Sequence, residues 1–193
     1  MRLTPLHEAN AEQAELRDRI TRRRGGVHGP FDALLRSPRP GALVEALSTY
    51  CTQESALPER LRELALLVTA RHFDAQHSWN AHVGKAEAAG VEGAALRRLA
   101  RGEEPRYTAA DEELLHRFAT QALVEHFVDD DTYTAALQEF GEAALVDLVI
   151  ALGNFATLAL ILNTFQVDLR PDSEPPFPDV RGFRRVRAEH SPS

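Results

Sequence analysis

LRELALLVTARHFDAQHSWNAHVGKAEAAG, residues 61–90, decides the fold. Leu57, Leu61, Leu64, Ala65 and Val68 share one helical face, and Leu66, Leu67 and Ala70 extend the apolar surface nearly all round. A helix of this kind is buried on most sides. It is expected to open near Ser55 with Pro58 in its first turn, where a missing N–H costs nothing. A second helix follows the polar break near Asp74, with Asp74 expected as its N-cap and Gly90 as the glycine that ends it.

The same pattern continues on both sides. Glycine and proline cluster in GGVHGPF (25–31), SPRPG (37–41) and RPDSEPPFP (170–178), and the segments between them read as helices. Residues 10–24 form a polar first helix, an arm lying on the body or on a neighbouring subunit. GPFDALLRS is a short helical piece, and GALVEALSTYCT carries a stripe of Leu43, Val44, Leu47 and Cys51. Further on come VEGAALRRLA and then TAADEELLHRFATQALVEHF, with a capping-box spacing from Thr108 to Asp111 or Glu112. DDDTYTAALQEF and a long apolar helix complete the set. With no alternating strand pattern, the chain is all-α. It divides into an arm (1–27), a helical domain (28–169) and a Pro-rich, charged tail (170–193).

Composition narrows the function. The 193 residues carry a net charge of −7, against the concentrated basic surface that nucleic acid requires. Arg22–Arg24 and RGFRRVR (181–187) read as solvated surface or oligomer contacts. Cys51 is the one cysteine, so no disulfide forms within a chain. The start MRLTPLHEAN has no apolar signal region, and the expected location is the cytoplasm. LVIALGNFATLALIL, interrupted by Gly153 and Asn154, falls short of the ~20 clean apolar residues of a membrane span and reads as a buried or interface helix. No glycine-rich phosphate loop or other cofactor motif is present, and no cofactor is expected.

Glu63 stands out inside its apolar helix. It reaches the surface, pairs with Arg60 or Arg62, or sits in a polar pocket where burial suits it to acid–base work. On the next helix Ser78 and His82 share a face, beside an apolar stripe of Trp79, Val83 and Ala86. His72, His77 and His82 recur every five residues, which turns each ring by roughly 140° about the axis and excludes a shared metal. Ser78 has no nucleophile elbow around it. Asp147 and Asn154, seven apart, share a stripe on the last helix and read as interface hydrogen-bonders or the edge of a site.

The run LPERLRELALLVTARHFDAQHSWNAHVGKAEAAGV (57–91), with GPFDALLRSP before it and residues 111–167 after it, resembles the carboxymuconolactone decarboxylase family, the all-helical superfamily that includes alkyl hydroperoxidase D. The resemblance spans roughly residues 28–168 and implies an alkyl hydroperoxidase D-like bundle assembled as a homotrimer or homohexamer. His82 matches the family's site histidine, Glu63 its relay glutamate, and His77 a histidine lying between two cysteines in the hydroperoxidase branch. Those cysteine positions are Ala75 and Ser78 here, so thiol peroxidase chemistry is not expected. The glutamate that precedes the histidine by four residues in the decarboxylase branch is also replaced, by Ser78. The resemblance thus implies a cofactor-free lyase in which His82, oriented by Glu63, moves a proton on a small carbonyl or lactone carboxylate. Ser78, His77, Arg62 and Trp79 would hold that substrate, with Arg62 or Arg71 available to its carboxylate. The competing reading is a non-catalytic oligomer that binds a ligand or scaffolds a pathway.

Overall fold

Asn10 and Gln13 each accept the other's backbone N–H, a reciprocal cap that starts α1 (Ala11–Arg24). Gly25, left-handed at φ 76°, ends it. This computed structural model describes residues 1–170 and 172–178, and among them the architecture is all-helical with no strand. After α1 come α2 (Pro30–Leu34), α3 (Pro38–Thr49), α4 (Glu59–His72) and α5 (Gln76–Ala88). Then follow α6 (Gly93–Ala100), α7 (Ala110–Thr120) and α8 (Asp130–Thr164). A single wide turn extends α3 over Tyr50–Glu54, and another extends α7 over Gln121–Glu125.

The apolar helix of the opening stretch is the centre of the bundle. Leu61, Leu64, Ala65, Leu67 and Ala70 of α4 are buried almost completely, and α4 packs on α5, α7 and α8. A second cluster of Leu16, Ile20, Phe31 and Leu35 joins α1 to α2, so the N-terminal helix lies on the body of its own chain. Met1 extends this attachment, its ammonium 2.6 Å from Asp168 beyond α8.

Several local expectations are corrected. Asp74 is not an N-cap: it has φ 51° and its carboxylate bonds Arg71, while Ala75 N–H closes α4 onto Ala70 at 2.7 Å. Pro58 precedes α4 as its cap residue. Thr108 caps nothing, because α7 follows Ala109 and the carboxylates of Asp111 and Glu112 are both taken by Arg60 of α4. Helix α3 turns its polar side inward: Glu45 is 0% exposed and Leu43 is 74% exposed. The reason is that the Glu45 carboxylate is paired, with the exposed Arg23 at 3.1 Å and the buried Thr49 at 3.0 Å.

At the other end of the chain, the two segments expected after residue 129 form one run broken at Gly141. Its φ 77° and ψ 165° lie where glycine alone is comfortable. Among the described residues α8 is long and apolar enough to cross a membrane, yet 56% of its most apolar window is buried inside the bundle. Beyond it, residues 172–178 of the Pro-rich segment fold back over α5. Phe177 is buried against Trp79 and Arg71, and its carbonyl accepts from Gln76 at 2.7 Å. The rest of the expected tail, including RGFRRVR, lies outside the described residues.

Candidate active site

Helices α4 and α5 pack side by side because the turn at Asp74 reverses the chain within four residues. That packing brings Glu63 of α4 to His82 of α5. The carboxylate is 4% exposed, and its Oε2 lies 2.7 Å from Nδ1 of His82. Neither arginine beside Glu63 in sequence reaches it. Arg60 is bound to α7, and Arg62 donates to the Ser55 and Leu57 carbonyls at 3.1 and 2.9 Å. A buried carboxylate without a donor would be costly, so the imidazole is what makes Glu63 tolerable there.

The pair sits in the wall of a cavity of about 670 Å³, well within the range of small-molecule sites. Glu63 occupies Nδ1, which fixes the tautomer that donates from that atom and leaves Nε2 for a ligand. Helix α5 presents Ser78, Ala81, His82 and Lys85 to the cavity, spaced by three and four residues so that they share a face. Leu66 and Ala70 of α4, Phe31 of α2, and Phe155 and Leu158 of α8 supply apolar wall.

His77 lines the same cavity and packs against the loop before α2. A Cβ on Gly29 would stand 2.6 Å from the His77 ring, and Gly29 also has φ 63°. Glycine is therefore required there twice over, for conformation and for space. Burial first, then the charges of Arg170, His82 and His28, push the His77 imidazole down to about 4. His77 is thus neutral near pH 7, and His82 is the imidazole in this cavity whose ring is paired with a carboxylate.

Of the residues singled out in the sequence, Glu63, His77, Ser78 and His82 are brought together around the cavity. Arg62 and Trp79 are not. Arg62 is held by the two carbonyls of the preceding turn, and Trp79 is 3% exposed with its ring edge-on to Phe177. Arg71, the other cation considered for a substrate carboxylate, is committed to Asp74 and the Ala100 carbonyl. Ala75, at the first cysteine position of the resemblance, is buried in the core. Cys51 lies elsewhere, its thiol pushed up to about 11 by burial and then by Asp147. Asp147 itself accepts from the Tyr50 hydroxyl at 3.0 Å and from Ala56 N–H at 2.7 Å. Asn154 is buried, and its amide N and O have no hydrogen-bond partner among the described residues.

Arg23 and Arg24, which the sequence places on solvated surface or in oligomer contacts, line the cavity, as do Lys85, the chain's one lysine and single Schiff-base candidate, and His28 and Arg170, which the sequence leaves without a role. The glycines flanking His28 were the available signal, since three glycines within five residues are more than one turn needs. The arginines gave none: Arg23 and Arg24 reach the cavity only because α1 folds back on α3.

No model of a known protein family and no curated protein matches this chain.

Proposed function

We propose that this protein is a carboxymuconolactone decarboxylase-like enzyme in which His82, held by Glu63, transfers a proton at the carbon beside a carbonyl group of a small carboxylate or lactone. The observation that carries the reading is the 2.7 Å Nδ1–carboxylate contact in the wall of a cavity large enough for such a compound. Loss of CO₂ beside a carbonyl leaves an enolate, and the product forms when the enolate carbon takes a proton. Nε2 of His82 faces that carbon and delivers the proton. In the reverse sense the same atom takes a proton from carbon, and Glu63 faces the charge that then appears on the ring. Ser78, one turn before His82, offers a hydroxyl to the carbonyl or enolate oxygen. A merely structural pair would be packed without free volume, so the cavity supports catalysis over the scaffold reading.

We further propose that the chain assembles with copies of itself through α8. Val146, Val149, Ile150 and Leu160 are exposed at helical spacing, with Gly153 on the same stripe. Between residues 143 and 164 the one charged residue is Asp147, which is buried. A stripe of this kind meets its own copy without an unpaired charge.

The catalytic reading is tested by deuterium uptake at the carbons beside the ketone of levulinate in D₂O, followed by proton NMR. The wild type is expected to accelerate uptake, and His82→Gln, which keeps a donor for Glu63, to return it to the buffer rate. Equal rates for the two proteins would contradict it.

A further inference from the structure

The cavity is charged in a way that its proton-transfer pair does not use. Arg23, Arg24, Lys85 and Arg170 face it, against the carboxylates of Glu59 and Glu63. Counting the buried Glu45 behind Arg23 and Arg24 as well, cations still exceed carboxylates, in a chain whose net charge is −7. The four cations are not equivalent. Arg23 and Arg24 are occupied by Glu45, at 3.1 and 3.7 Å, and the Arg24 guanidinium also stacks 4.2 Å from the Phe31 ring. Lys85 is exposed where α5 lines the cavity. Arg170 alone comes from beyond α8. Its side chain has no ion-pair partner among the described residues.

Arg170 is placed by a segment with no other evident reason to be so well fastened. Before it, Arg2 N–H donates to the Phe165 carbonyl at 2.7 Å and Met1 pairs with Asp168. After it, Asn80 donates to the Glu174 carbonyl at 2.8 Å and Gln76 to that of Phe177 at 2.7 Å. Phe177 then locks against Trp79. These anchors lay the segment across the start of α5 and carry Arg170 over His77. There it lines both the main cavity and an adjoining one of about 80 Å³. The positive field of Arg170 at the His77 ring agrees with this placement.

We propose that Arg170 is the acid-binding residue of the site, receiving the carboxylate of a small anionic substrate whose reacting carbon lies at Nε2 of His82. A guanidinium suits this role because its fork meets both carboxylate oxygens at once. The neutral His77 beside it adds a polar wall without competing for the anion. The exposed Lys85 draws anions inward from solvent. His77 and His82 are five residues apart on α5, a rise of about 7.5 Å, so the acid group and the reacting carbon are separated by several bonds. A γ-keto acid has that reach. The assignment rests on the proposed chemistry only for which end of the substrate reacts.

The test compares levulinate with its methyl ester, which keeps the ketone and removes the charge, by calorimetric titration at low and high salt. The wild type is expected to bind the acid about tenfold more tightly than the ester, with the preference shrinking as salt rises. Arg170→Gln should erase the preference while leaving the ester's affinity unchanged, Arg170→Lys should keep part of it, and Arg170→Glu should reverse it. His82→Gln should leave the preference intact while abolishing deuterium uptake, which separates failure of the binding assignment from failure of the chemistry. Equal wild-type affinity for acid and ester overturns the proposal, as does a preference that survives Arg170→Gln or absence of saturation by either compound.

Discussion

A carboxylate inside a helix that is apolar on nearly every side must find a donor, and Glu63 finds His82. The residues alone mark both side chains, and their pairing is implied only by the family resemblance, because a bond between neighbouring helices depends on the turn joining them. Arg60 and Arg62 looked like nearer partners, yet both are bound elsewhere. His77 supports a prediction of its own. In the unfolded chain its imidazole takes up a proton near the ordinary value of 6.5, and in the fold only near 4. The unfolded state therefore binds the extra proton between those values. The stability at stake is fully present above about pH 6.5 and is lost as pH falls towards 4, on the order of 3 kcal/mol. Denaturant midpoints measured across that window should fall more steeply for wild type than for His77→Asn, since the carboxylates common to both cancel. Parallel curves would show that His77 is not held neutral. The residues that remained illegible, Arg23, Arg24 and Arg170, share a cause: each reaches the cavity from a distant part of the chain by tertiary folding alone.

At the scale of elements, periodicity located the helices well and their ends poorly. The buried α4, the glycine after α5 and the long α8 follow directly from apolar spacing and glycine placement. Gly90, at φ 106°, lets Val91 N–H reach back to Ala86 at 2.9 Å, as its position in the sequence implied. The caps at Asp74 and Thr108 failed for a shared reason. Carboxylates in those segments are drawn into pairs with Arg71 and Arg60, a tertiary demand that local capping rules do not see. The stripe of α3 misled similarly, because the paired Glu45 reversed which face is buried. Gly141 offers the cleanest test at this scale. Nothing stands within 4 Å of an added Cβ, so Gly141→Ala meets only backbone strain. It should lower unfolding stability by about 1–3 kcal/mol, read by chemical denaturation. An unchanged stability would mean that the kink relaxes at no cost.

For the whole molecule, assembly and chemistry rest on two different surfaces, the outer face of α8 and the cavity. The uncharged outer stripe of α8 is the surface on which self-association is proposed. Ile150→Arg should reduce the mass seen by light scattering on a sizing column to that of a single 21.4 kDa chain, with helicity retained. A wild type already at that mass would remove the assembly proposal. The all-helical class was legible in the sequence because helical periodicity is a local property. The cavity was not, because its wall is assembled from α1, α2, α3 with its extension, α4, α5, α8 and the segment after them. The proposed chemistry requires Glu63 and His82 to act as one proton-transferring unit. The most direct measurement is a double-mutant cycle on levulinate deuterium uptake, comparing wild type, Glu63→Gln, His82→Gln and the double variant. If the two act as a unit, each single variant loses nearly all the acceleration and the double variant is no slower than His82→Gln. Independent, multiplying losses, or a Glu63→Gln variant with wild-type rates, would contradict it.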